Sequence, residues 1–210
     1  MARNYIHTLF SDEARALQEA DGSRASYARM ELDADGSPDL LGEAEAAFIS
    51  ARDSFYIATV SPDGWPYVQH RGGPPGFLRV LDGNRLGFAD FRGNRQHISD
   101  ANLSVDPRVS LFLMDYGAKR RLKLLGRARV GQAADDPKLI ETLMPPAYQS
   151  VAERAYLIDV VGFDWNCPQH ITERFTRAEV LAGTQPLIDG LNALRAEVKA
   201  LRGGHAERTR

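Results

Sequence analysis

From Phe55 to Phe163 the chain is divided into β-rich runs joined mostly by short turns with little helix between them, which argues against a parallel, doubly wound sheet as its main layer. Phe55 to Val60 and Trp65 to His70 flank Ser61-Pro62-Asp63-Gly64, while Phe77 to Leu81 and Arg85 to Asp90 flank Asp82-Gly83-Asn84. Both pairs read as hairpins. Arg108 to Asp115, Arg121 to Val130 and Tyr156 to Phe163 add three longer strands. In the second of these, polar Lys123, Arg127 and Arg129 alternate with Leu124, Ala128 and Val130. A helical stretch at Pro137 to Met144 precedes the last strand. Six or seven strands so connected predict an antiparallel barrel or sandwich.

Helical segments flank this core. Ser11, followed by Asp12 and Glu13, reads as the N-cap of a helix running to about Ala20 and ended by Asp21-Gly22-Ser23. Arg24 to Pro38 reads as a polar arm wrapped over another part of the chain. Leu40, Leu41, Ala44, Ala47, Phe48 and Ala51 then recur at helical spacing. At the other end Leu187, Leu191, Leu194, Val198 and Leu201 form a heptad seam. About two heptads are marginal alone in water, so the seam packs on its own barrel or on the same helix of a second copy, the latter being favoured. The expected organisation is one domain over residues 1–183, with a helical arm at 1–52 and a barrel core at 53–175. A helix over 184–210 follows it and pairs in a dimer.

Composition narrows the function. A chain that is 43% hydrophobic and 26% charged, with a formal net charge of −2, is an ordinary globular protein with no bias toward nucleic acid or an acidic membrane. The basic run Lys119 to Lys123 lacks interleaved aromatics and reads as a solvated strand entry. No run approaches the roughly 18 apolar residues of a membrane span. Residues 1–10 do not resemble a signal peptide, and the sole cysteine, Cys167, suits a reducing compartment, so a cytoplasmic protein is expected. Cys167-Pro168-Gln169-His170 offers two ligand types without a second pair, so no metal is expected.

Two loops carry the chemistry. Gly72-Gly73-Pro74-Pro75-Gly76 is glycine-rich, but its prolines remove amide donors that a phosphate cradle needs. It reads as a rigid loop that lets something flat approach the backbone, or as a wide turn with no ligand. Phe91-Arg92-Gly93-Asn94-Arg95-Gln96 follows a strand and opens into a short helix over His97 to Leu103. Free amides at the positive end of a helix, beside arginines, are what a phosphate dianion requires, although a solvated basic turn has the same composition. There is no P-loop and no Gly-x-Gly-x-x-Gly after a strand.

The stretches Trp65-Pro66-Tyr67-Val68-Gln69-His70-Arg71-Gly72-Gly73-Pro74-Pro75-Gly76-Phe77-Leu78, Gly87 to Gln96, Asp106-Pro107-Arg108-Val109 and Trp165 to Ile171 resemble the FMN-binding proteins related to pyridoxamine 5′-phosphate oxidase. The likeness runs over about residues 47–175. It implies a mainly β, α+β fold, an antiparallel split β-barrel, working as a homodimer with FMN in a groove between subunits. Carried over residue by residue, it lays the strand along the flavin on Pro74 to Arg79, with Gly76, Phe77 and Leu78 along the ring and Arg79 in place of a phosphate-binding lysine. The pair that closes over the flavin falls on Ala89 and Asp90, and the phosphate clamp on Asn94, Arg95 and Gln96. Arg121 takes the place of a flavin-contacting glutamine, and Trp165 that of a tryptophan contributed by the partner, with Gln169 beside it. His70, Cys167 and His170 are then expected to face the substrate. The residues' own chemistry agrees: Arg79 and Arg95 can neutralise a phosphate dianion, and Arg71 or Arg121 the anionic edge of reduced flavin.

One departure bears on activity. Pyridoxamine phosphate oxidases follow the Trp-Gln motif with an Arg-x-His that grips the substrate phosphate. Here Trp165 is followed by Asn166-Cys167-Pro168-Gln169-His170-Ile171-Thr172-Glu173-Arg174-Phe175, which has no such element. The expectation is an FMN-dependent oxidoreductase, of oxidase or flavin reductase type, acting on another small molecule, with NAD(P)H a candidate donor. Two other readings share the platform: a flavin-binding module that stores or senses without turnover, and a split barrel that holds a deazaflavin or haem.

Overall fold

Seven strands pair antiparallel throughout in one sheet: β1 (Ser54–Val60), β2 (Pro66–Gly72), β3 (Arg79–Asp82), β4 (Arg85–Phe91), β5 (Arg108–Asp115), β6 (Arg120–Gln132) and β7 (Ala152–Trp165). Their spatial order is β2-β1-β5-β6-β7-β4-β3. The sheet curls onto itself. Phe55 of β1 meets Phe88 of β4 edge-on at 5.4 Å although β5, β6 and β7 lie between them, and Arg71 of edge strand β2 ion-pairs with Asp90 of β4. This is the antiparallel split barrel, with helices flanking it. The computed structural model describes residues 3–31, 36–165 and 169–207.

Alternation fills the barrel. Phe55, Ile57 and Thr59 of β1 face inward with Leu111 and Leu113 of β5, Leu122 and Leu124 of β6, and Tyr156, Ile158 and Val160 of β7. At about 25 cal/mol per Å² of apolar surface removed from water, this cluster is the main stabilising term. β6 slips register between Leu125 and Gly126, where a side chain would lie 2.6 Å from Ile158 Cγ2, so the glycine admits the bend.

The helical arm comprises α1 (Arg3–Leu9), α2 (Asp12–Asp21), α3 (Arg24–Glu31) and α4 (Glu43–Ser50). Ser11 caps α2 as the sequence predicts, its hydroxyl accepting from Ala14 N, and Gly22 ends it in the left-handed region at φ 81°. The segment read as a polar arm instead contains α3, held by Arg15 and Arg24 on Glu31. Helix pairing across α2 overrides the polar composition there. The strand expected from Phe77 begins only at Arg79, because Phe77 N closes a turn on Pro74 O at 3.0 Å and the chain leaves that turn with Phe77 and Leu78 buried in the core. The strand expected from Tyr156 begins at Ala152.

Asp39 fastens α1 to β7. Its carboxylate accepts from Asn4 N at 3.0 Å, Tyr5 N at 3.2 Å and Phe163 N at 3.1 Å. The helix can come so close because β7 has Gly162 there, where a Cβ would lie 2.6 Å from Tyr5 N. Gly162→Ala is therefore expected to lift α1 and lower stability by about 1–3 kcal/mol. Hydrogen exchange should show the Asn4 and Tyr5 amides losing protection first; unchanged protection there would refute the close approach.

The remaining helices are α5 (Ile98–Val105), α6 (Pro137–Leu143) and α7 (Arg177–Glu207). The chain divides into two compact units, residues 1–115 with 119–170, and residues 116–118 with 171–210. In the second, Thr176 and Glu179 form a reciprocal capping pair at the start of α7, and Arg174 stacks on the Tyr116 ring at 5.1 Å. Among the described residues no helix is long and apolar enough to cross a membrane, and no group of three metal-ligating side chains occurs.

Candidate functional site

Period-two geometry on β2 builds the first wall of a cleft. Tyr67, Gln69 and Arg71 lie opposite Thr59, Ile57 and Phe55, the inward residues of β1, so they share the inner face. Where β2 ends as an edge strand, that face opens, and Arg71 is left among the aromatic rings of Phe88 and Tyr156, 5.0 Å from the latter. Asp90, opposite Arg154 in the β4–β7 ladder, completes the floor.

This floor is a buried charge network. Asp90 is 3% exposed and binds both arginines, Arg71 through one carboxylate oxygen and Arg154 through the other at 2.7 and 2.9 Å. Arg71 also donates to the Tyr156 hydroxyl at 3.1 Å, and that hydroxyl donates to Asp100. Arg154 reaches Asp100 at 3.1 Å. Burial works against the Asp100 charge, yet the Tyr156 and His97 hydrogen bonds and the two guanidinium groups hold its carboxyl below the ordinary carboxylate value. Burial pushes the Tyr156 phenol upward against the pull of Arg71, with Asp100 and Asp90 adding to the rise. The phenol is thus a fixed hydrogen-bond donor. The Arg71 Nε is buried without a partner.

The second wall is the loop 91–97 and the first turn of α5. Ser99 Oγ donates to Gln69 at 2.7 Å, Asn102 Nδ2 donates to Thr59 at 2.9 Å, and Leu103 is buried, so α5 is pinned to β1 and β2 with its N-terminus at the cleft. No side chain caps that N-terminus. Arg95 and His97 adopt φ of 58° and 53°, a left-handed conformation that costs a non-glycine residue about 1–3 kcal/mol and is held where a site needs it. Arg95 is exposed and only loosely tied to Glu153, at 3.4 Å. The resulting open cleft, with a volume of about 50 Å³, combines an uncapped helix start, an exposed and loosely held arginine, and amide side chains. That donor set suits a phosphate dianion.

The structure brings Arg71, Asp90, Asn94, Arg95 and Gln96 together around this cleft. Ala89, one residue from Asp90, faces the opposite way and packs with Leu143 and Ala155. Phe77 stacks on Phe55 and Leu78 is fully buried, while Gly76 turns the chain ahead of them at φ 85°. Arg79 donates to the Met144 carbonyl at 3.1 Å, at the C-terminal end of α6, and does not line the cleft. His70 and Arg121 lie on the outer face of the sheet, His70 against Tyr56 and Arg121 over Phe112. Trp165 is held by its own chain: its indole N–H donates to Glu45 at 2.7 Å and its ring meets Phe48 edge-on. Gln169 and His170 form an exposed turn, and Cys167 lies outside the described residues.

Gln69, Asp100, Arg154 and Tyr156 were not singled out from sequence. Gln69 was within reach, since it has the same β2 parity as Arg71. Arg154 lies before the point where the sequence pattern starts β7, so nothing local marked it.

A family model described as pyridoxamine 5′-phosphate oxidase matches residues 41–156, a span that contains the whole cleft. No curated protein matches the chain. Among solved structures, HupZ of Group A Streptococcus is 14% identical with a TM-score of 0.46, covering 64% of this chain and 99% of its own. General Stress Protein 26 of Bacillus anthracis is 13% identical with a TM-score of 0.43, covering 57% and 88%. An FMN-binding protein of Syntrophomonas wolfei is 9% identical with a TM-score of 0.43, covering 72% and 97%.

Proposed function

This chain belongs to the pyridoxamine 5′-phosphate oxidase family, and from that premise we propose that it is an FMN-binding oxidoreductase acting on a small molecule other than pyridoxamine phosphate. The observation that carries this reading is the uncapped start of α5 beside exposed Arg95, set over the Arg71 floor. Asn94, Arg95, Gln96 and the first-turn amides of α5 take the phosphate. Tyr67, Gln69 and Arg71 form the wall along which the rest of the cofactor extends. The Tyr156 hydroxyl and Asp90 keep Arg71 in place, so the wall is preorganised. Bound flavin supplies hydride or electron transfer; the protein orients it and excludes water.

The working unit in this reading is a homodimer. Tyr56 and Val68 are exposed beside Phe112 and Met114 on the outer face of β2, β1 and β5, an apolar surface for a second copy to cover. His70 and Arg121 lie on that same face, so the dimer would bring them into the cofactor groove.

The test is the absorption spectrum of the purified protein. Flavin bands near about 370 and 450 nm are expected, with FMN released on denaturation. A colourless protein that does not take up added FMN, or one with a Soret band, overturns the reading. The FMN-loaded protein is further expected to show negligible oxidation of pyridoxamine or pyridoxine phosphate, because the Arg-x-His element is missing after Trp165. Sustained production of pyridoxal phosphate would reverse that.

A further inference from the structure

Among the described residues of its own compact unit, nothing covers the apolar side of α7: Val180, Leu187, Leu191, Leu194 and Val198 are all exposed. Propensity does not explain so long a helix, since Pro186, Gly183 and Gly190 all lie inside it. We infer that α7 docks on α7 of a second copy of this chain, as a parallel, in-register, two-stranded coiled coil.

The seam assigns Val180, Leu187 and Leu194 to heptad position d, and Thr184, Leu191 and Val198 to position a. β-branched Thr184 and Val198 at a, with Leu187 and Leu194 at d, favour two strands. Pro186 falls at c, off the seam. The flanks set the direction. Positions e are Leu181, Ile188 and Arg195, whereas positions g are Gly183, Gly190 and Glu197. In a parallel pair each e faces the g of the preceding heptad across the seam. That places Ile188 over the glycine at 183 and Arg195 over the glycine at 190. An antiparallel pair sets e against e and g against g, crowding the large side chains on one flank and leaving a gap on the other.

The outward positions mix Glu179, Gln185, Asp189, Asn192 and Lys199, which is not the basic face of a helix lying on an anionic bilayer.

The test is disulfide trapping in the full-length chain with Cys167→Ser as background. At position d, a cysteine in a parallel, in-register pair faces its own copy. Leu194→Cys is therefore expected to give a disulfide-linked dimer on mild oxidation at low protein concentration, and Asn192→Cys, on the outward side, to stay uncross-linked. Adding Leu187→Asp and Leu191→Asp to the Leu194→Cys chain should abolish the cross-link; these exposed positions lie outside the barrel. Absence of a cross-link at Leu194→Cys overturns the proposal, whether α7 then lies on its own barrel, pairs antiparallel or binds vesicles of anionic phospholipid. Equal cross-linking at Asn192→Cys, or a cross-link that survives the two aspartates, overturns it as well. The readout does not involve flavin, so it stands or falls independently of the cofactor reading.

Discussion

Asp90→Ala is expected to destabilise the barrel by about 3–5 kcal/mol, the largest effect of any single substitution in the cleft. The reason is what the alanine leaves behind. Asp90 is almost fully buried and is shared by Arg71 and Arg154, which keep only 15% and 13% of their side-chain surface exposed. Without it two guanidinium groups face each other in a poorly hydrated space walled by Phe88 and Tyr156, and Asp100 alone remains to offset Arg154. Urea titration should show a lower midpoint with an unchanged slope, the sign of a stability change without a change in exposed surface. The same two cations make the variant an anion site. Inorganic phosphate, binding only the folded variant, is expected to restore part of the loss in proportion to its concentration, and to do less for the parent. A loss under about 1 kcal/mol, the usual worth of an exposed pair, would mean that water reaches these groups and the network is not buried.

Much of the barrel could be read from the chain because its signals are local. Ser61-Pro62-Asp63-Gly64 and Asp82-Gly83-Asn84 fix two hairpins by turn chemistry, and alternation fixes which side of β6 is core. The α3 segment was missed because its stability comes from Arg15 and Arg24 meeting Glu31, a contact that composition does not reveal. The site was partly legible for the same reason. Arg95 and its neighbours sit in one loop, so a sequence pattern finds them. The floor is assembled from β2, β4, α5 and β7, and only pairing of Asp90 with Arg154, distant in sequence, puts its charges together. Arg79 shows the converse. The resemblance puts Arg79 in the place of a phosphate-binding lysine, yet the fold turns its guanidinium to the α6 carbonyl end, where a cation complements the helix dipole.

That difference yields the second large effect, on cofactor retention. Arg95→Ala is expected to weaken FMN binding by about 1.5–3 kcal/mol, roughly 10- to 150-fold in Kd, the range for one lost charge-assisted contact. Stability should barely change, because Arg95 is 60% exposed and its tie to Glu153 is long and shared with Arg92. Arg79→Ala should behave in the opposite way. It removes a hydrogen bond to the end of α6 and is expected to cost about 1 kcal/mol of stability while leaving Kd for FMN unchanged. Fluorescence titration of apoprotein with FMN, run beside urea unfolding of each variant, separates the two. The pair also distinguishes two placements of the phosphate. If it lies at the start of α5, only Arg95→Ala loses flavin. If it lies along the strand that follows Gly76, Arg79→Ala loses at least as much, and the cleft over Asp90 and Arg71 is not where the cofactor is anchored.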